Sequence, residues 1–262
     1  MRHRGSHQAS IDELRTRIES LSPMGVRFVA RLIDSLSNPP RADVTSTWIT
    51  TNPEWVEYFG LTISVHHSST VEPLGLIGFE VAFRNACEAV GWNIDEPGSA
   101  TRRFVDTTVQ TEDTSELKLS LKSTAARNLS ASTAHISKLT EAAWIQDMRT
   151  ARTRRLQTLE LFRQYREAVD SIIMLRAFHK SRSVLPSKYQ LPEIPTAIFA
   201  SLEDAPQAAF AADGPTIDCA YRNEPVAARV SLDRSDAKIT VKQIKLSACT
   251  IHAEWYIPNR NP

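Results

Sequence analysis

Hydrophobic and polar positions divide this chain into a helical opening, a mixed middle and a strand-rich end. Ser10-Ile11-Asp12-Glu13 has the spacing of a capping box, and Ile11, Leu14, Ile18 and Leu21 then share one helical face, so a first helix is expected to start at Ser10. Pro23 suits the first position of a second helix, whose stripe of Val26, Val29, Leu32, Ile33 and Leu36 ends at the breaker Asn38-Pro39-Pro40. Residues 53–59 predict a short Pro-started helix and residues 61–65 a strand. His66 and His67 close that strand as surface polar residues, because no acidic partner is spaced for a metal.

Residues 74–91 predict a helix with Gly91 at its C-terminal cap, followed by strands over 103–110 and 117–124 joined by an acidic turn. From 133 to 180 apolar residues recur at steps of three or four, which predicts a helical stretch broken once near 149–155. Residues 186–195 are Pro-rich and predict a linker or the lead-in to a strand. Further strands are expected near 194–199, 226–232, 237–244 and 249–256. The chain shows no internal repeat and no low-complexity tract.

The second strand of the hairpin, Glu116-Leu117-Lys118-Leu119-Ser120-Leu121-Lys122-Ser123-Thr124, alternates strictly between polar residues and leucine until its end. Glu116, Lys118, Ser120 and Lys122 therefore share one face, and the three leucines pack on the other. If the hairpin centres near Thr114, Asp106 lies opposite Lys122. The plain interpretation is a cross-strand ion pair on a solvated face; the sharper one is a carboxylate site that holds a metal.

Composition narrows the class. With 262 residues, 42% apolar and 23% charged, the chain can bury a sizeable core, and no segment approaches the roughly 18–20 apolar residues of a membrane span. Met1-Arg2-His3-Arg4-Gly5 is basic, but no apolar run or cleavage site follows, so a cytoplasmic location is expected. Cys87, Cys219 and Cys249 are too few and too scattered for a disulfide framework or a zinc site. Cys219, Cys249 and His252 are expected in the core. There is no GxSxG elbow, P-loop, GxGxxG or HExxH motif.

The net charge of +1 conceals an asymmetry. Residues 42–117 carry 12 acidic and 3 basic side chains, net −9, whereas residues 118–188 carry 14 basic and 5 acidic, net +9. That division suggests a basic, polyanion-binding surface beside an acidic site.

The order of a helix, a strand with Asp, a turn and a strand with Leu-Lys-Ser-Thr resembles the PD-(D/E)xK nuclease superfamily, which includes many type II restriction endonucleases. The likeness spans residues 75–145. Gly78-Phe79-Glu80 with Ala86, Val90 and Gly91-Trp92 is similar to that family's Glu-bearing helix. Arg103-Phe104-Val105-Asp106 resembles the strand ending in the metal-binding Asp, with Val105 in place of Pro. Ser120-Leu121-Lys122 resembles the (D/E)xK strand, with Ser120 where a carboxylate is expected.

The resemblance implies an α/β fold with a restriction-endonuclease-like core, a mixed β-sheet flanked by helices. An N-terminal helical arm (1–42) would precede a catalytic domain (43–262) with a β-rich C-terminal part. It implies Mg²⁺-dependent, sequence-specific hydrolysis of double-stranded DNA by a homodimer. Asp106, Lys122, Glu141 and Glu80 would be catalytic, and Asp106, Glu141 and Glu80 would hold the metal. Glu141 enters because some enzymes with a Ser-x-Lys strand take the missing carboxylate from the following helix. The alternative is the literal Glu116-Leu117-Lys118, with Asp113 or Asp106 as the upstream acid.

Two groups are candidate DNA contacts. Ser123, Thr124, Arg127 and Asn128 follow the presumed catalytic strand, and Arg149, Arg152, Arg154 and Arg155 are dense enough to meet phosphates. Trp144 and Tyr165 are expected to pack in the core. The rival functions are a DNA repair or structure-specific nuclease, a non-catalytic DNA-binding protein and an interaction protein whose charges merely solvate it.

Overall fold

The structure, a computed structural model, describes residues 3–95, 103–112, 115–180 and 183–258, with side chains from Ser10 onward. Five α-helices and eleven strands are assigned among them: α1 (His3–Glu19), α2 (Pro23–Leu36), β1 (Arg41–Val44), α3 (Pro53–Ser69), α4 (Leu76–Ala89), β2 (Asn93–Asp95), β3 (Thr107–Gln110), β4 (Leu117–Thr124), β5 (Thr133–Glu141), α5 (Ala151–Ala168), β6 (Ser171–His179), β7 (Pro186–Pro195), β8 (Thr216–Tyr221), β9 (Glu224–Asp233), β10 (Lys238–Lys245) and β11 (Thr250–Tyr256).

Seven strands form a mixed sheet in the order β1-β11-β7-β6-β4-β3-β2, and four form a second sheet in the order β5-β10-β9-β8. Only β4 and β6 pair in parallel in the first sheet, and α5 lies on the connection between them. Side chains of β6 show how the layers stack. Ile173, Leu175 and Ala177 belong to a core shared with α3 and α4, whereas Ile172 and Met174 belong to one shared with α5 and the second sheet. A strand covered on both faces is apolar at nearly every position. That is why 171–179, expected as helix, is a strand.

β5 was also expected as helix and also pairs as a strand. Its register against β10 shifts, since Thr140 faces Ile239 but Ile136 faces Val241, so two extra residues of β5 lie between these pairs. Buried positions therefore fall at Ala134, Ile136 and Leu139, and the last step of three imitates a helix.

α3 corrects the reading of residues 53–70 in the other direction. It is one helix, capped by the Asn52 side chain, and it buries Trp55, Phe59, Ile63, Ser64, His67 and Ser68. Polar residues on the buried face disguised the period. Tyr189 on β7 accounts for His67, whose Nε2 lies 3.0 Å from the tyrosine hydroxyl, so His67 is a core residue and not a surface one.

The core between α3, α4 and the large sheet is aromatic. Trp55 stacks on Phe59 at 5.1 Å and meets Phe83 edge-on, and Trp255 of β11 packs on Phe59. This packing fixes the helix that carries Glu80. α1 begins well before Ser10, so Ser10 is not its cap. α2 starts at Pro23 as expected, with Ser22 as cap, and ties to α3 through Ser35 Oγ donating to the Ser64 carbonyl at 2.6 Å. Met24, Val26, Phe28 and Ile33 of α2 remain exposed.

Candidate active site

The β3–β4 hairpin sets the site. Thr107 faces Leu119, Thr108 faces Lys118 and Val109 faces Leu117. The register thus differs by two residues from the expected one, and Asp106, whose N–H donates to the Leu119 carbonyl at 2.9 Å, lies across from Ser120. A shift of two keeps every side chain on its face. Leu119 and Leu121 are buried toward α3 and α4, and Asp106, Ser120 and Lys122 meet on the other side of the strand.

Three donors converge on Asp106 Oδ2: Ser120 Oγ at 3.0 Å, the Leu121 N–H at 2.6 Å and Lys122 Nζ at 3.0 Å. Lys122 Nζ also donates to Ser120 Oγ at 2.7 Å and to the Leu121 carbonyl at 2.9 Å. Because Ser120 Oγ accepts from the ammonium, its own proton is directed at Asp106. Among the described residues, Asp106 Oδ1 accepts no hydrogen bond. The Asp106 side chain is 32% exposed, so that oxygen can face a ligand.

Glu80 on α4 completes the cluster electrostatically. Partial burial first, then the negative charge of Asp106, raises its carboxyl above the ordinary value, while Lys122 and Arg84 oppose the rise. The charge of Asp106 thus reaches Glu80, and a cation between the two would relieve that repulsion. No group of three or more His, Cys, Asp or Glu side chains arranged to hold a metal is found among the described residues. Mg²⁺, however, commonly takes one or two protein carboxylates and completes its shell with water and substrate phosphate. Asp106, through Oδ1, and Glu80 fit that requirement.

Tyr165 on α5 is a residue whose position the sequence did not disclose. It is buried, its ring packs on Phe104 at 5.1 Å, and its hydroxyl lies beside Ser120 without reaching hydrogen-bond geometry. Burial, above all, holds that hydroxyl protonated, and nearby Asp106 adds to the effect. It was expected as a packing residue; it packs, but with its polar end at the site. Phe104, two residues before Asp106, has φ of 80°, a conformation non-glycine residues seldom adopt.

Other candidates fall elsewhere. Glu141 ends strand β5 in the second sheet, not a helix. It is 80% exposed and ion-paired with Lys138 at 2.6 Å, so the structure does not bring it to Asp106. Glu116 is exposed beside the turn, and Asp113 lies outside the described residues. The Lys118 N–H donates to Asp170 Oδ2 at 2.7 Å, and Lys118 stands opposite Thr108, away from Asp106. The literal Glu-x-Lys is therefore not assembled with an upstream acid among the described residues.

The arginine cluster is not one surface. Arg154 is 4% exposed, and its guanidinium donates to the carbonyls of Phe210, Met148 and Ala211. Arg155 donates to the carbonyls of Ala205 and Glu203. Both satisfy backbone acceptors of short helical turns packed on α5, which corrects their expected role as phosphate contacts. Arg149 and Arg152 are exposed, but thirteen residues of helix, about 20 Å, separate Arg152 from Tyr165. Ser123 and Thr124 are half-buried at the end of β4, and Arg127 and Asn128 are exposed just beyond it. Cys219 and His252 are fully buried, as expected, with His252 Nε2 3.0 Å from Glu193, and Cys249 is half-buried. Trp144 packs against the core, as expected.

Among known proteins, the chain is similar to the type II restriction enzyme SmaI of Serratia marcescens. The two are 26% identical over 213 residues, which cover 78% of this chain and 80% of the relative. That likeness supports a restriction endonuclease in general terms. No known family profile matches the chain, and no solved structure does.

Two outcomes follow from this geometry. Glu80 binds its proton more tightly in the folded chain than in the unfolded one, so ionising it costs stability as pH rises through its raised value. Without divalent cations, Glu80→Gln should raise Tm at pH 7, and the gain should shrink as pH falls through the carboxylate range, measured by thermal unfolding. Arg154→Ala should lower stability in urea by about 3 kcal/mol, because three carbonyls lose a buried donor. The salt dependence of DNA binding should stay unchanged; a phosphate clamp would give the reverse.

Proposed function

We propose that the protein is a type II restriction endonuclease that hydrolyses phosphodiester bonds of double-stranded DNA at a specific sequence. The observation that carries this reading is the convergence of Ser120, Leu121 and Lys122 on one oxygen of Asp106, with Glu80 in electrostatic reach. Similarity to a type II restriction enzyme over most of both chains supports it. So does the chain order of Glu-bearing α4, Asp106 leading into β3, the turn, and β4 with Ser120 and Lys122, which is the order in which the chain resembles the PD-(D/E)xK superfamily.

In this reading Asp106 and Glu80 hold Mg²⁺, which when bound supplies an activated water and positive charge against the phosphate. Lys122 brings a fixed ammonium to the same place. It stabilises the negative charge that builds on the phosphoryl oxygens as the bond to the attacking oxygen forms. Ser120 removes one carboxylate from the pattern and keeps Asp106 and Lys122 in register by bonding both. A homodimer belongs to the reading, since a two-fold protein matches a palindromic duplex and each copy cuts one strand. The exposed apolar side chains of α2 suit contact with a second copy. Residues 1–42 are then the helical arm and 43–262 the catalytic domain.

Asp106→Ala and Lys122→Ala should each reduce cleavage of duplex DNA by at least about a thousandfold while leaving duplex binding measurable, because they act on the bond and not on the grip. Glu141→Ala, far from the cluster, should cut like the wild type. Unimpaired cleavage by Asp106→Ala, scored on agarose gels beside a filter-binding assay, would falsify the assignment.

A further inference from the structure

Beyond the end of β4 lies an open recess of about 490 Å³, lined by Thr124, Asn128, His135, Arg229, Lys242 and Gln243 among others. Thr124 shares the strand face of Lys122 and lies two residues further on, about 7 Å along β4. The recess therefore begins one strand step beyond the candidate active site. Its floor is the outer face of the second sheet, where Lys242 stands opposite Arg229, and Arg229 opposite Asp218.

Its parts are held in place. Arg176 on β6 is fully buried and donates from Nη2 to the carbonyls of Ser130 at 2.6 Å and Thr133 at 2.9 Å, which fixes the loop carrying Asn128. β10 has one extra residue between Val241 and Ile244, and Gln243 within it has φ of 50°. Such a bulge turns a side chain out of the regular ladder. The Gln243 amide oxygen accepts from Arg229 Nη1 at 2.6 Å, and Asp218 accepts from Arg229 Nε at 2.8 Å, so the guanidinium is oriented before any ligand arrives. Arg229 Nη2 has no hydrogen-bond partner among the described residues. Lys242 is exposed, and among the described residues its one hydrogen-bond partner is Ser231 Oγ at 3.2 Å. Burial first, then the positive charges of Lys242 and Lys238, lowers the His135 imidazole below its ordinary value.

We infer that this recess is the surface on which duplex DNA beside the scissile bond sits, with Lys242 on a backbone phosphate and Arg229, with Asn128, on base edges. The inference rests on the nuclease reading and adds the residues that select the sequence. The partner is a duplex because the recess combines an exposed cation with a pre-oriented planar guanidinium and a side-chain amide, the donor set that meets phosphate oxygens and purine edges in a groove. Thr124, about 7 Å along β4 from Lys122, puts those contacts within a few base pairs of the bond.

The test uses the full-length protein and plasmid DNA, with cut ends sequenced to define the wild-type site, and duplex oligonucleotides that carry each single base-pair change. Lys242→Ala should weaken binding to all duplexes alike and lower the slope of log affinity against log salt by about 0.9, while Lys242→Arg keeps the wild-type slope. Arg229→Ala should lose roughly ten- to hundredfold of discrimination at one base-pair position and little elsewhere. Thermal melts show that each variant is folded; where Arg229→Ala is not, Arg229→Lys, which keeps the charge but lacks the fork, replaces it with the same expectation. A uniform loss over all sequences from the Arg229 variant overturns its base-reading role. Wild-type slope and sequence profile in both variants, with normal wild-type cutting, overturn this inference alone. A wild-type protein that neither binds nor cuts duplex DNA overturns the nuclease reading and this inference with it.

Discussion

Asp106 Oδ2 accepts hydrogen bonds from a hydroxyl, a backbone N–H and an ammonium, and these three bonds organise the centre of the molecule. They tie the residue preceding β3 to three successive residues of β4. The ammonium that neutralises Asp106 also bonds Ser120 and the Leu121 carbonyl, so no donor or acceptor in the cluster can move alone. Charge-assisted bonds of this kind are roughly twice as strong as neutral ones. With all three donors on one oxygen, the other accepts no hydrogen bond among the described residues, and Glu80 lies within electrostatic reach, its carboxyl raised by partial burial first and by the charge of Asp106 second.

The layers on either side hold this cluster from two directions. Beneath β4, the leucines pack into the aromatic core of Trp55, Phe59, Phe83 and Trp255, which also fixes the helix bearing Glu80. On the opposite side, α5 presents Tyr165 to Ser120, and α5 is itself anchored by Arg154 and Arg155 to the turns between β7 and β8. The large positive charge of residues 118–188 is thus only partly a surface property. Two of its arginines act as internal fasteners, and Arg176 is a third, fully buried between the sheet and the loop after β4.

What could be read from the chain depended on whether a local pattern had one cause. The hairpin strand alternates from Leu117 to Lys122 because one face is packed and the other polar, and so Asp106, Ser120 and Lys122 were placed on one face correctly. Their register was off by two because the geometry of the turn is not written in its composition; parity survived, and the cluster with it. β5 and β6 deceived for opposite reasons, one through an irregular register and the other through burial of both faces. Misreading β5 as a helix is what carried Glu141 into the site. The clustering of Arg149, Arg152, Arg154 and Arg155 looked like a surface, but carbonyl acceptors that come from far along the chain claim two of them. Tyr165 was recognised as core, yet nothing in its helical spacing showed that its hydroxyl ends beside Ser120.

The most direct measurement is the digestion of closed-circular plasmid DNA by the purified protein with Mg²⁺, with a chelator control. If two carboxylates, Lys122 and the intervening Ser120 form a sequence-specific phosphodiesterase, the plasmid resolves into discrete fragments whose ends share one sequence, and the chelator abolishes them. A smear of random lengths would contradict specificity, and intact plasmid at every Mg²⁺ concentration would contradict the catalytic assignment itself.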